Sequence, residues 1–188
     1  MTQSLSLQDE EVGNKMRVLV CGDRHWGQKK IPAGSHFLID RYYPTREGWA
    51  FDQSQVDFLR EKLDALHLIN NFTCVIEGEA KGADTFGRLW AEARGVPVEA
   101  YPAGWAQYGH RAGPIRNKQM LSEGKPNLVV AFHNDIENSK GTKSMISLTK
   151  KDKIPYIIFA QNKAPEFDYE LDTSMFWDIL PDADEFIS

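Results

Sequence analysis

The sequence predicts an α/β fold: a three-layer sandwich with a mostly parallel five-stranded sheet between helices. Three observations lead there. Short apolar runs recur at residues 17–21, 73–76, 96–101, 127–132 and 156–159, and the near-continuous ones suit strands buried on both faces. The stretches between them place apolar residues at helical spacing. Polar loops, most of them bearing glycine, follow the strands, at the sheet edge where open α/β folds bind their ligands. Alternation of strand and helix implies right-handed crossovers with helices on both faces.

The bulk numbers allow such a domain and narrow its partners. The 188 residues are 41% hydrophobic and 26% charged, enough for one core. A net charge of −5 offers no basic excess for a nucleic-acid backbone. Residues 1–15 are polar and acidic, with no apolar segment of signal-peptide or membrane-spanning kind, so a cytoplasmic protein with no membrane partner is expected. Cys21 and Cys74 both fall in predicted strands and read as buried thiols, not a disulfide.

In chain order, residues 1–15 form a loose leader ahead of a domain at 16–160. The first strand, 17–21, ends at Gly22-Asp23-Arg24-His25-Trp26-Gly27. Residues 28–51 are an insertion with prolines, glycines and several aromatics but no clean period. A lid, a short hairpin, an oligomer contact and a packed surface loop all fit it. Asp52 or Ser54 caps the next helix, Asp52 with Gln55 resembling a capping box. Val56, Leu59, Leu63 and Leu66 mark its inner face, and Asn70-Asn71 ends it.

The strand at 73–76 runs into Glu77-Gly78-Glu79-Ala80-Lys81-Gly82-Ala83-Asp84. The following helix takes Phe86, Leu89, Trp90 and Ala93 as its inward stripe and stops at Gly95. A short strand at 96–101 leads to the glycine-rich connection 102–116. Pro114 then suits the first position of a helix, with Arg116 and Asn117 in its first turn and Gly124 at its end. A cation there opposes the helix dipole, a local conflict typical of functional positions. After the strand at 127–132, the polar loop 133–140 precedes a helix opened by Gly141-Thr142. The strand at 156–159 closes the domain, and the acidic, aromatic-bearing tail 161–188 is expected to pack partly back on it.

Several residues in these loops carry chemistry. Glu79, Glu77 and Asp84 are the candidate catalytic carboxylates, with Asp23 from the first loop beside them. A carboxylate can stabilise or attack the positive charge that builds on a sugar when an N-glycosidic bond breaks. Glu79 leads, because it stands where glycine is common in such loops; the alternative is a solvated acid or a partner for Lys81. Asp84 has an equally good structural use as a cap. Arg116 can hold a phosphate bidentately beside Asn117, and Gly113 lies in the same turn; the alternative is a surface ion pair. Gly141 and Thr142 open a second cradle of free N–H groups, while Gly22, Asp23, Arg24, Gly78, Lys81 and Gly82 complete the ligand-facing set. Trp26 and Trp105 are candidates for base stacking, although aromatics serve more often as core. His25, His110 and His133 each stand in a site loop and can act as acids. No metal-ligand spacing, Walker loop or serine elbow occurs, so neither a cofactor nor a metal is expected.

Taken together, Arg17-Val18-Leu19-Val20-Cys21-Gly22-Asp23-Arg24-His25-Trp26, the loop 77–84, Ala112-Gly113-Pro114-Ile115-Arg116-Asn117 and Gly141-Thr142 resemble the SLOG superfamily, in its branch related to YspA and YpsA. The resemblance covers 16–160 and leaves out the insertion and the tail. It implies a Rossmann-like fold that binds a nucleotide or nucleotide-derived small molecule, with a homo-oligomer among the expected assemblies. Among relatives, the Lonely Guy phosphoribohydrolases cleave the N-glycosidic bond of nucleoside 5′-monophosphates, other members sense nucleotide signals, and the DNA-processing protein A branch binds single-stranded DNA. The Lonely Guy enzymes carry two glycines before the Gly-Thr pair and a glutamate shortly after it. This chain instead reads Asn138-Ser139-Lys140-Gly141-Thr142-Lys143-Ser144-Met145. A catalytic carboxylate would then come from elsewhere in the chain. The expected activity is N-glycosidic hydrolysis of a (deoxy)nucleoside 5′-monophosphate, with a non-catalytic nucleotide sensor or sequestering module as the alternative.

Overall fold

The computed structural model describes residues 16–32 and 48–167. The leader 1–15, the middle of the insertion and residues 168–188 lie outside the described residues. The main sheet has six strands, not five: β1 (Met16–Gly22), β4 (Phe72–Glu77), β5 (Val98–Ala100), β6 (Leu128–Phe132), β7 (Tyr156–Ala160) and β8 (Lys163–Phe167), in the order β5-β4-β1-β6-β7-β8. All pairs are parallel except β7 with β8. The extra strand comes from the start of the tail, where Lys163-Ala164-Pro165-Glu166-Phe167 is too polar to read as a buried strand. It is an edge strand, so one half-exposed face and a proline cost it little. A separate two-stranded antiparallel ribbon, β2 (Gln28–Lys30) with β3 (Trp49–Phe51), is the stem of the insertion.

Alternation along β1 builds the three layers. Val18 and Val20 face a core with helix α1 (Gln53–Asn70) and helix α2 (Ala83–Arg94). Leu19 and Cys21 face a second core with α4 (Ala112–Ser122) and α5 (Lys140–Lys151). A short α3 (Trp105–Tyr108) and a 3-10 turn at Gly109–Arg111 precede α4. Successive strands thus grow leftward from β1 to β5 on one helix layer, then return to β6 and grow rightward on the other. The order reverses between β1 and β6, and there the crevice of an open α/β sheet opens.

Local signals hold in most elements. Val56, Leu59, Leu63 and Leu66 are buried, and Asn71 ends α1 in the left-handed region at φ +47°. Asp52 caps α1 by accepting from Ser54 N–H, but Gln55 is not the second half of a capping box. Its Oε1 accepts from Gly27 N–H, because the incoming loop packs over the helix start. In α2 the buried stripe is Ala83, Phe86, Gly87, Trp90 and Ala91, while Leu89 is 42% exposed and Ala93 is exposed. The phase is set by tight packing at Gly87, where a Cβ would lie 2.6 Å from Val20 Cγ1. Helix α4 begins two residues before Pro114, so Arg116 and Asn117 stand beyond the first four residues. Cys21 and Cys74 are buried free thiols.

Candidate functional site

A cavity of about 840 Å3 lies at the carboxyl ends of β1 and β6, in the crevice where the strand order reverses. Its lining draws on separate loops: Gly22 to His25 after β1, Ala80 and Asp84 after β4, Arg116 and Asn117 from α4, and His133 to Thr142 after β6. A second hollow shares Arg24, Ala80, Arg116, Asn117, Lys140 and Gly141 with it and adds Glu79, Lys81, Trp105, His110 and Gly113. The expected ligand-facing loops therefore converge, and Gly78 and Gly82 are the members that line neither hollow.

The first loop is clamped in place. Asp23 N–H donates to Phe132 O at 2.9 Å, and Asp23 O accepts from Ala83 N–H at 3.1 Å. Gly82, at φ +75°, permits this, since a Cβ there would sit 2.1 Å from Asp23 O. Asp23 Oδ1 accepts from His25 N–H at 2.8 Å, closing an Asx turn. Gly22 is wedged against Phe132 and Ala83, and its carbonyl accepts from the Thr142 hydroxyl at 3.0 Å. Both glycines serve loop packing, so the β1 loop and the start of α5 are joined across the crevice.

The 77–84 loop is largely self-contained. Asp84 is 3% exposed and accepts from Gly78 N–H at 3.0 Å, while Arg116 Nη1 stands 3.5 Å from its Oδ2. The same Arg116 Nη1 donates to Gly78 O. A Cβ at Gly78 would lie 1.4 Å from that nitrogen, so glycine leaves the space that the guanidinium fills. Burial raises the Asp84 carboxyl above the ordinary carboxylate range, with Arg116 and the loop N–H groups opposing.

Glu77 is fully buried. Its Oε2 accepts from Glu79 N–H at 2.6 Å, and its Oε1 has no hydrogen-bond partner. Burial raises its pKa, with the Glu79 N–H bond the largest opposing effect. Glu77 is the last residue of β4, not a loop residue, and lines neither hollow. Glu79 takes the left-handed region at φ +51°, in keeping with a position where glycine is common. Its half-exposed carboxylate stands 3.8 Å from Arg88 Nη1, which is also 3.6 Å from Glu77. Arg88 is the partner that sequence reasoning missed. It lies more than a full turn into α2, outside every loop motif, and nothing local marks it as a neighbour of the two acids.

Trp26 is not a stacking platform. It is 1% exposed, packs on Phe58 and Phe132, and donates from Nε1 to Gln55 O at 2.8 Å. The chain turns at Asp23, which directs Trp26 into the core between β6 and α1. Trp105 does stand at the second hollow and is 58% exposed.

The start of α5 is organised differently. Ser139 caps it, its Oγ accepting from Thr142 N–H at 3.2 Å. The N–H groups of Lys140 and Gly141 have no acceptor among the described residues. Nothing lies within 4 Å of a Cβ placed on Gly141, so that backbone is open to a ligand. Asn117 is 5% exposed and donates to Gly141 O at 3.3 Å, tying α4 to this turn.

His133, 7% exposed, accepts at Nδ1 from Asp135 N–H at 3.0 Å. Burial lowers its pKa, against the pull of Asp23 and Asp135. The ring is therefore neutral with its proton on Nε2, a hydrogen-bond donor and not a poised imidazolium acid. Among the described residues, no group of three or more His, Cys, Asp or Glu is placed to hold a metal ion. No helix of the described residues is long and apolar enough to cross a membrane.

A crevice of this kind, entered by strand-end loops, is shared by many nucleotide-binding folds. Comparison with known proteins is more specific. The YspA, cpYpsA-related SLOG family matches residues 16–108. The chain is also 33% identical over 101 residues to "Gene 61 protein" of Mycobacterium phage D29, an alignment spanning 51% of this chain and 78% of that protein. The chain belongs to the YspA, cpYpsA-related SLOG family. The matched span of this SLOG protein takes in 28–51, which the sequence resemblance leaves out, and ends before Arg116 and the Gly141-Thr142 turn. Family membership points to a nucleotide-related role. No solved structure gives a significant match.

Proposed function

We propose that the crevice binds a nucleoside 5′-monophosphate and that the protein hydrolyses its N-glycosidic bond. The observation that carries this reading is that the open start of α5, with Lys140, and the Asp23 carboxylate line one cavity, and that Glu79 lines the hollow adjoining it. The phosphate sits on the N–H groups of Lys140 and Gly141, where the helix dipole and the Lys140 ammonium favour it. The sugar then lies over the ends of β1 and β4. Water adds at the anomeric carbon, the C–N bond breaks, and the base leaves with a proton, giving a free base and a sugar 5-phosphate. Positive charge on the sugar in the transition state is met by a carboxylate. Glu79 in the adjoining hollow remains the first choice and Asp23 the second, since Glu77 lines neither hollow and Asp84 is engaged by Arg116 and Gly78 N–H.

That internal engagement of Asp84 and Glu77 favours a second reading, a module that binds the nucleotide without turnover. One experiment separates the two. Purified protein is incubated with a panel of ribo- and deoxyribonucleoside monophosphates and free base is quantified. Release by the wild type, lost in Glu79→Gln with binding retained, is the expected outcome. Tight binding with no free base from any member of the panel establishes the module instead.

A further inference from the structure

The cavity has two dissimilar ends. Toward the α4–α5 layer it offers Arg116, Lys140 and the open turn at Gly141. Toward the α1–α2 layer its wall is the stem of the insertion: Gln28, Lys30 and Trp49, with His25 from the loop that leads into it. The stem is firmly seated. Asp52 N–H donates to Gly27 O at 2.8 Å and Ile31 N–H to Gly48 O at 3.0 Å. Ala50 is 1% exposed, and Phe51 packs on Phe86 at 6.4 Å between ring centroids. On this base Lys30 pairs with Trp49 across the ribbon. The Trp49 and His25 rings stack at 4.6 Å with 24° between planes, and Lys30 Nζ lies 5.7 Å from the Trp49 ring centroid.

We infer that this stem, with His25, is the base-recognition subsite of the cavity and takes a 6-oxopurine nucleotide. The inference rests on the nucleotide reading above and adds the base to it. A stacked pair of flat rings at a cavity wall is a surface on which a planar base lies at small entropic cost. The polar group beside it is an ammonium, which donates and cannot accept. A 6-oxopurine presents two adjacent acceptors, O6 and N7, whereas adenine presents a donor at its 6-position. Lys30 therefore favours the oxo base, and the Gln28 carboxamide can meet a further edge group in either sense. With phosphate at α5 and base at the ribbon, the sugar falls between them over Gly22 and Asp23.

The test is titration calorimetry of wild type, Trp49→Ala and Lys30→Gln with IMP, AMP and ribose 5-phosphate, with melting curves to verify folding. Wild type binds IMP more tightly than AMP. Trp49→Ala weakens IMP by roughly tenfold to a hundredfold and leaves ribose 5-phosphate unchanged. Lys30→Gln, at an exposed position, removes the preference for IMP over AMP. Equal affinity of the wild type for IMP and AMP overturns the assignment, as does equal loss of IMP and ribose 5-phosphate in a folded Trp49→Ala protein. In both cases retained ribose 5-phosphate binding leaves the broader nucleotide reading standing. A wild type that binds none of the three ligands removes both.

Discussion

The turn from β4 into α2 and the turn from β6 into α5 have similar sequence credentials: polar residues, glycine, and a helix start at the carboxyl edge of the sheet. Their backbones are treated in opposite ways. At α2 the first helical N–H, that of Ala83, is taken by the Asp23 carbonyl, while the Asp84 carboxylate turns back onto Gly78 N–H and Arg116 neutralises it. At α5 Ser139 caps Thr142 N–H, and the two preceding N–H groups, of residues that line the cavity, have no acceptor among the described residues. A helix N-terminus is an anion site only when the protein leaves it vacant. The acid-rich loop is thus a wall, and the plainer loop is the candidate phosphate cradle.

The largest expected effect comes from opening the closed turn. Arg116→Ala strands the Asp84 carboxylate, 3% exposed, without its cation. A loss of about 3–5 kcal/mol in urea denaturation follows for a buried pair broken on one side. Lys140→Ala, at the open turn, should stay within about 0.5 kcal/mol of wild type. Equal stabilities for the two variants would erase the contrast.

A middle-sized effect is expected at the α5 cap. Ser139→Ala removes the acceptor for Thr142 N–H and should cost about 1 kcal/mol, a typical value for a lost helix cap. Phosphate affinity should fall with it, because the turn that presents Lys140 and Gly141 loosens. Unchanged phosphate binding in a folded Ser139→Ala protein would move the cradle away from α5.

The smallest effect is a pH slope. Glu77 has a folded-state pKa raised by burial, so the native state holds its proton at a pH where the unfolded chain has released it. Its favourable contribution is fully present below the ordinary carboxylate range and is lost as pH rises through the raised value. Glu77→Gln lacks this slope. Compared by denaturation from pH 4 to pH 8, about the span in which carboxylates at ordinary and raised values titrate, the wild type should lose stability relative to the variant as pH rises. Parallel curves would mean that Arg88 and the Glu79 N–H fully offset the burial.

Much of the framework was legible because it repeats a local rule. Apolar runs marked the buried parallel strands, Val56, Leu59, Leu63 and Leu66 marked a helix face, and Asp52, Asn71 and Gly95 marked helix ends. Such signals operate within a few residues of each other. Leu89 turns outward because the contact of Gly87 with Val20 sets the phase of the helix, and no residue within α2 encodes Val20. β8 has no apolar run to mark it, because an edge strand needs none.

The candidate site followed the same division. From its amino acids alone this chain determines an α/β sheet, the loops at its carboxyl edge, and the residue types in those loops. Tertiary structure alone decided which of those residues line the cavity. It drew Arg116 onto Asp84 and Gly78, buried Glu77 at the end of β4, and sent Trp26 into the core. It also brought Trp49 and His25 together at the rim. The physical reason is that strand and helix formation answer to neighbours along the chain. Burial and pairing of a loop side chain depend on the other strand-end loops, which the fold brings to the same crevice from distant parts of the sequence.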